Sequence, residues 1–175
     1  MNNEIRLIIA DDHPLLRHGL RKIIEKDPRM LVLAEADDGA EALRLIQTLK
    51  PEIAVLDVHM PEMTGFDVAR AVSEQRLATS IIILTMFKDE EMFNAALNLG
   101  IKGYVLKDSA LTEITACIKS VAGGQSFISA ALSNFMLDRR QRAETLAAKT
   151  PGIQIHVVPH AAVHVAIAGD LKDRD

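Results

Sequence analysis

The stretch LIIADDHPLL, residues 7–16, decides how the chain folds. Four apolar residues, Leu7-Ile8-Ile9-Ala10, run without polar alternation into two adjacent aspartates, Asp11 and Asp12. An unbroken apolar run of this kind reads as a strand covered on both faces, the pattern of a parallel sheet flanked by helices. Two carboxylates side by side repel each other and resist burial. Their place at the end of a buried strand therefore needs a reason beyond folding.

Outward from that strand the chain alternates strand and helix. Ile5 to Ala10 is followed by a helix from Pro14 to Lys26 with Leu15, Leu16, Leu20, Ile23 and Ile24 on one face. Proline near its start is harmless, because its missing N–H would have no helical partner there. Leu31 to Ala36 predicts a second strand and Gly39 to Leu49 a second helix. A third pair is Ile53 to Leu56 and Gly65 to Glu74, and a fourth is Ser80 to Thr85 and Asp89 to Leu99. Gly100 closes the fourth helix, as a left-handed cap requires. Gly103 to Leu106 and Leu111 to Ala122 complete five units. Short connections between such units imply right-handed crossovers and a doubly wound parallel sheet of the α/β class.

Composition fits a packed, aliphatic domain. Of the 175 residues 49% are apolar but only 3% are aromatic, so the core is built from Ile, Leu and Val. A net charge of −4 lacks the basic excess of a chain dominated by nucleic-acid binding. The single cysteine, Cys117, lies in an apolar helical pattern and reads as a small core residue. The N-terminus has no signal-peptide pattern and no apolar run is long enough to span a membrane, so a cytoplasmic protein is expected.

In doubly wound sheets, sites form at the carboxyl ends of the strands near the topological switch point. The first strand runs into Asp11 and Asp12, the third into Asp57, the fourth ends in Thr85 and the fifth runs into Lys107. Clustered carboxylates call for a cation, and hard oxygen ligands suit Mg²⁺. The lysine and the threonine hydroxyl suit the oxygens of a phosphoryl group.

Four segments carry a resemblance: DDH at 11–13, VLDVHMPEMTG at 55–65, ILTMFKDEE at 83–91 and GIKGYVLKD at 100–108. Together they resemble the receiver domain of a two-component response regulator, with wording similar to the NarL/FixJ type, over about residues 5–122. The resemblance implies a (βα)5 flavodoxin-like fold and a phosphoacceptor, Asp57, served by a partner histidine kinase. It implies that Asp11, Asp12, Asp57 and the backbone carbonyl of His59 hold Mg²⁺. Thr85 matches the switch hydroxyl, Tyr104 the aromatic that changes rotamer, and Lys107 the lysine of the site. A protein of this kind accepts and loses a phosphoryl group by self-catalysed steps and is not otherwise an enzyme. Thr64 departs from the acid or amide often found before this glycine. The His59 side chain, two residues after the acceptor, is expected to lie exposed in its loop.

Beyond a receiver domain over residues 1–124, the expected organisation is a linker helix over 125–149 and a tail from 150. Gly123-Gly124-Gln125-Ser126 reads as linker. Phe127, Leu132, Phe135, Met136 and Leu146 are placed on one face of a helix from about Ala130 to Ala147, and the basic run Arg139-Arg140-Gln141-Arg142 on a solvated face. After Pro151, Ile153, Ile155 and Val157 alternate, as do Val163, Val165 and Ile167, which suggests a weak hairpin. His156, His160 and His164 recur at a spacing of four, but Pro159 interrupts any helix that would align them as metal ligands. No helix-turn-helix pattern is seen there, so DNA binding is doubtful and output through protein contacts, including a phosphorylation-dependent homodimer, is expected. The alternative is a truncated or divergent DNA-binding regulator of the NarL/FixJ type. A flavodoxin-like enzyme would need a phosphate-cradling Gly- or Ser/Thr-rich loop where Asp11-Asp12-His13-Pro14 stands.

Overall fold

The computed structural model describes residues 3–149. Six parallel strands form one sheet in the order β2-β1-β3-β4-β5-β6. They are β1 Ile5–Ala10, β2 Met30–Ala36, β3 Ile53–Asp57, β4 Ser80–Thr85, β5 Gly103–Leu106 and β6 Phe127–Ile128. The helices are α1 Pro14–Ile24, α2 Gly39–Leu49, α3 Gly65–Glu74, α4 Glu90–Asn98, α5 Ala110–Ala122 and α6 Ser133–Lys149. This is the doubly wound α/β fold that the apolar runs predict.

Alternate residues of each strand feed opposite cores. Leu7 and Ile9 of β1 pack with Val55, Ile82 and Leu84 against Leu20, Ile24, Ile114 and Ile118 of α1 and α5. Ile8 and Ala10 pack with Leu56 and Ile83 against Ile46, Val68 and Phe93 of α2, α3 and α4. Each leucine or isoleucine buried in this way contributes about 1.5–3 kcal/mol of apolar burial. Cys117 is a free, buried member of the first core, as its pattern predicts, and burial raises its thiol pKa.

Local chemistry sets the helix ends. Asp38 accepts the backbone N–H of Glu41 at 2.8 Å to cap α2, and Asp89 accepts that of Met92 at 2.9 Å to cap α4. Thr64 and Asp67 form a reciprocal capping box at the start of α3, which is the use this chain makes of Thr64. Gly100 has φ +74° and ends α4 in the left-handed conformation expected of it.

Two expectations are corrected. Leu15 is 89% exposed at the first turn of α1, because it lies on the opposite side of the helix from Leu20 and Ile24, nine residues from Ile24 being about two and a half turns. Phe127 belongs to no helix: Phe127 and Ile128 pair in parallel with Gly103 and Tyr104. Gly124, at φ +82°, turns the chain back to allow this. Ser129 fixes the added edge, its N–H donating to the Tyr104 carbonyl and its hydroxyl accepting from Leu106 N at 3.0 Å and bonding Glu113. Leu132 is fully buried in a short turn before α6, Phe135 and Met136 are partly buried, and Leu146 is exposed. The alternating tail segments and His156, His160 and His164 lie outside the described residues.

Candidate functional site

The strand order places β1 beside β3, with β2 on one flank and β4 on the other, so the chain reverses its winding between β1 and β3. Asp11 follows β1 directly and Asp57 ends β3, so the two carboxylates meet at the switch point. β4 and β5 add Thr85 and Lys107 from the neighbouring strand ends.

Lys107 Nζ lies 2.8 Å from Asp57 Oδ2 and 3.0 Å from Asp11 Oδ2. All three side chains are buried, while Asp12 stands at the rim with its side chain 36% exposed. Burial raises the Asp57 pKa; Lys107 offsets part of that effect and the Asp11 charge adds to it. Burial alone would lower the Lys107 pKa, but its bonds to Asp57 and Asp11 outweigh that and hold the ammonium above its ordinary value. One buried ammonium faces two buried carboxylates, with a third carboxylate beside them. The site is therefore short of positive charge and favours a cation.

His13 is a member of this cluster that the spacing of acids did not reveal. Its Nδ1 lies 3.0 Å from both Asp11 Oδ1 and Asp12 Oδ1 and 3.9 Å from Asp57 Oδ2. One ligand atom from each of Asp11, Asp12, His13 and Asp57 falls within 4.8 Å of the others. Oδ2 of Asp11 and of Asp57 are buried with an ion pair to Lys107 but no well-formed hydrogen bond. Carboxylate oxygens converging in this way fit a hard divalent ion such as Mg²⁺. Arg17 was also missed. Its Nη1 donates to the Asp11 carbonyl at 2.5 Å while its Nε lies 3.3 Å from Glu35, which Arg21 holds at 2.7 Å. Helix α1 and strand β2 thereby tie down the backbone that carries the acid pair.

His59 is exposed, as expected. Its N–H donates to Asp57 Oδ1 at 3.3 Å, and its ring stands edge-on to Phe87 at 6.2 Å. The loop around it is closed by Gly65 N–H donating to the Val58 carbonyl at 2.9 Å. A Cβ on Gly65 would collide with the Asp57 carbonyl, so glycine is required where α3 begins. Gly65→Ala is expected to destabilise the fold by about 1–3 kcal/mol, the range for forcing an extra methyl into a packed site. Urea denaturation checks this, and wild-type stability would refute the close approach.

Thr85 is fully buried and its Oγ1 accepts the Phe87 N–H at 3.2 Å. Tyr104 is turned inward, 2% exposed, with its ring edge-on to Phe93 at a centroid distance of 5.3 Å. Burial pushes the Tyr104 phenol pKa up to about 12, and its hydroxyl makes no well-formed hydrogen bond.

The response regulator receiver domain family matches residues 7–119. The chain belongs to that family. It is similar to the probable transcriptional regulatory protein NarL of Mycobacterium tuberculosis, 36% identical over 145 residues, 82% of this chain and 67% of that protein. A two-component response regulator of the LuxR family from Aurantimonas superposes with a TM-score of 0.74 at 32% identity, over 79% of this chain and 99% of that one. The isolated receiver domain of RcsB from Salmonella enterica, solved with the phosphomimetic BeF₃⁻, gives a TM-score of 0.71 at 29% identity, over 76% of this chain and 99% of that one. This receiver is thus of the NarL/FixJ type and works in two-component signalling. The chain spans about two thirds of the length of the NarL relative.

Proposed function

We propose that Asp57 accepts a phosphoryl group from a sensor histidine kinase, with Mg²⁺ held by Asp11, Asp12, Asp57 and the His59 carbonyl, and that this switches a protein-interaction surface. The observation that carries the reading is Lys107 Nζ held between the buried carboxylates of Asp57 and Asp11. No ordinary core needs an ammonium and two acids at its sheet edge, and removing the lysine would leave two buried carboxylates without a counter-ion. The RcsB receiver, solved with a phosphate mimic, is a relative of the same fold.

When bound, Mg²⁺ supplies the positive charge that lets an anionic phosphoryl group approach an anionic carboxylate. An Asp57 carboxylate oxygen attacks phosphorus, and the new O–P bond forms as the donor's P–N bond breaks with its electron pair returning to the kinase imidazole. Lys107 then donates to a phosphoryl oxygen, and the Thr85 hydroxyl leaves Phe87 to do the same. The product is an acyl phosphate, labile enough for a transient signal. The space left by the displaced threonine then favours Tyr104 turned inward over Tyr104 turned out. The chain is in this reading a cytoplasmic phosphoacceptor and has no other enzymatic activity. No described helix is long and apolar enough to cross a membrane. Acetyl phosphate with Mg²⁺ is expected to add one phosphate by intact mass, and chelation of the metal to prevent it. Labelling that ignores chelation would refute the metal's part.

A second reading, a divergent DNA-binding regulator, is favoured by the transcriptional role in the NarL relative's name. A gel shift with random duplex DNA at low salt separates the two, because phosphate contacts strengthen steeply as salt falls. The expected result is no shift. Salt-sensitive binding would favour the regulator.

A further inference from the structure

The basic run on α6 is largely solvated, as expected, and Arg140 pairs within its own helix with Glu144, but two arginines of the run also reach α4. Arg139 donates from Nη1 to Asn94 Oδ1 at 2.9 Å and from Nη2 to Asn98 Oδ1 at 3.0 Å. Arg142 lies 2.8 Å from Glu90. Residues 90, 94 and 98 form one stripe of α4, and 135, 139 and 142 one stripe of α6. The pairing of 142 with 90 and of 139 with 94 and 98 sets the two helices antiparallel. Beneath the polar contacts Phe135 packs on Phe93, ring centroids 5.8 Å apart and tilted by 47°. Phe93 is fully buried and carries Tyr104 edge-on at 5.3 Å on its other side. Three rings thus connect the inward tyrosine to a helix outside the domain core.

That helix depends on the contact. None of the residues of α6 is buried, and a helix of its length is marginal in water when undocked. The arginine contacts are partly exposed and individually weak, so the apolar anchor at Phe135 matters as much as they do. Phe93 can support that anchor while Tyr104 packs against it. With Tyr104 turned outward, Phe93 loses its edge-on partner and gains room to move away from Phe135.

We propose that α6 is a latch on α4 whose grip tightens when Asp57 is phosphorylated, the Tyr104–Phe93–Phe135 contact carrying the change. The inference rests on the reading of Asp57 as phosphoacceptor. The face of α4 formed by Glu90, Asn94 and Asn98 is then a docking site filled by residues of the same chain. A partner that uses this face must first displace α6.

Amide exchange of the full chain, read on peptides from residues 133–149 with Mg²⁺ and with or without BeF₃⁻, tests the latch. BeF₃⁻ is expected to slow exchange in α6 about five-fold, as local opening free energies follow lost or gained contacts. Asn94→Ala/Asn98→Ala should exchange faster than wild type in both states. Phe135→Ala, a partly buried site, should keep the rise in melting temperature that BeF₃⁻ produces but lose its effect on α6. Unchanged or faster α6 exchange in wild type, with that rise present, overturns the latch and leaves the acceptor standing. Exchange in the asparagine variant equal to wild type also overturns it. No rise in melting temperature with BeF₃⁻ overturns the acceptor reading and, with it, the coupling.

Discussion

With acetyl phosphate and Mg²⁺, the Asp57→Ala variant is expected to take up no phosphate while wild type takes up one. Three carboxylates share the site, so the assignment has to separate them. Asp11 is fully buried, and its Oδ1 accepts the backbone N–H of His13 at 2.7 Å, so its carboxylate is already committed to its own loop. Asp12 is at the rim, held by His13 and without the lysine contact. Asp57 ends β3 with Lys107 at 2.8 Å and the His59 N–H on its other oxygen. Lys107 also pairs with Asp11, at 3.0 Å, so what sets Asp57 apart is its looser tie to its own loop, 3.3 Å to the His59 N–H against 2.7 Å from Asp11 to the His13 N–H. Lys107→Met is expected to slow labelling by at least about 100-fold, the scale for removing one preorganised donor from a transition state. It should also destabilise the fold by about 3 kcal/mol, because two buried carboxylates lose their counter-ion. Intact mass and urea denaturation read the two effects. Equal labelling of Asp57→Ala and wild type would place the phosphate elsewhere.

Much of this site was legible from residue order because strands end where their apolar runs end. Asp57 and Lys107 are far apart in the chain, yet both follow runs that must lie in the sheet, so a parallel sheet brings them to one edge. The reading of Thr85 rested on the same logic. His13 was not legible as a participant, since the direction of a side chain one residue past a strand depends on the turn it enters. The contact of Arg17 with the Asp11 carbonyl is a bond to the backbone, which no pattern of side chains announces. In the fold, β6 escaped because two residues after a Gly-Gly turn carry no period, and only the open edge of β5 gives them a place. Leu15 was misplaced because it was grouped with its apolar neighbour Leu16, although its spacing from Ile24 sets it on the opposite side of the helix. The grip of Arg139 on Asn94 joins elements separated by β5, α5 and β6, and charge pattern within one helix cannot report it.

The remaining large effect concerns the cation. Asp12→Ala is expected to weaken Mg²⁺ binding at least about ten-fold and nearly to abolish phosphorylation, while leaving the fold intact. Hard divalent ions gain their affinity from the number of charged oxygens, and this site offers three carboxylates of which one would be lost. The same substitution removes one of the charges that repel each other without metal, so the melting temperature of the metal-free variant should equal or exceed that of wild type. Adding Mg²⁺ should then raise the melting temperature of wild type, since a ligand bound only by the folded state stabilises it, and raise that of the variant much less. The two curves converge as Mg²⁺ rises if repulsion is what the ion relieves. Asp11→Ala is the harsher test, because its carboxylate is fully buried and also accepts the His13 N–H and pairs with Lys107. Loss of Mg²⁺ binding there comes with loss of stability, whereas at Asp12 the two separate. Unchanged Mg²⁺ affinity in both single variants would mean that the acids at the end of β1 are not the metal's ligands. His13, with its imidazole nitrogen 3.0 Å from each of them, would then be the group that closes the pocket, in the place the ion was given.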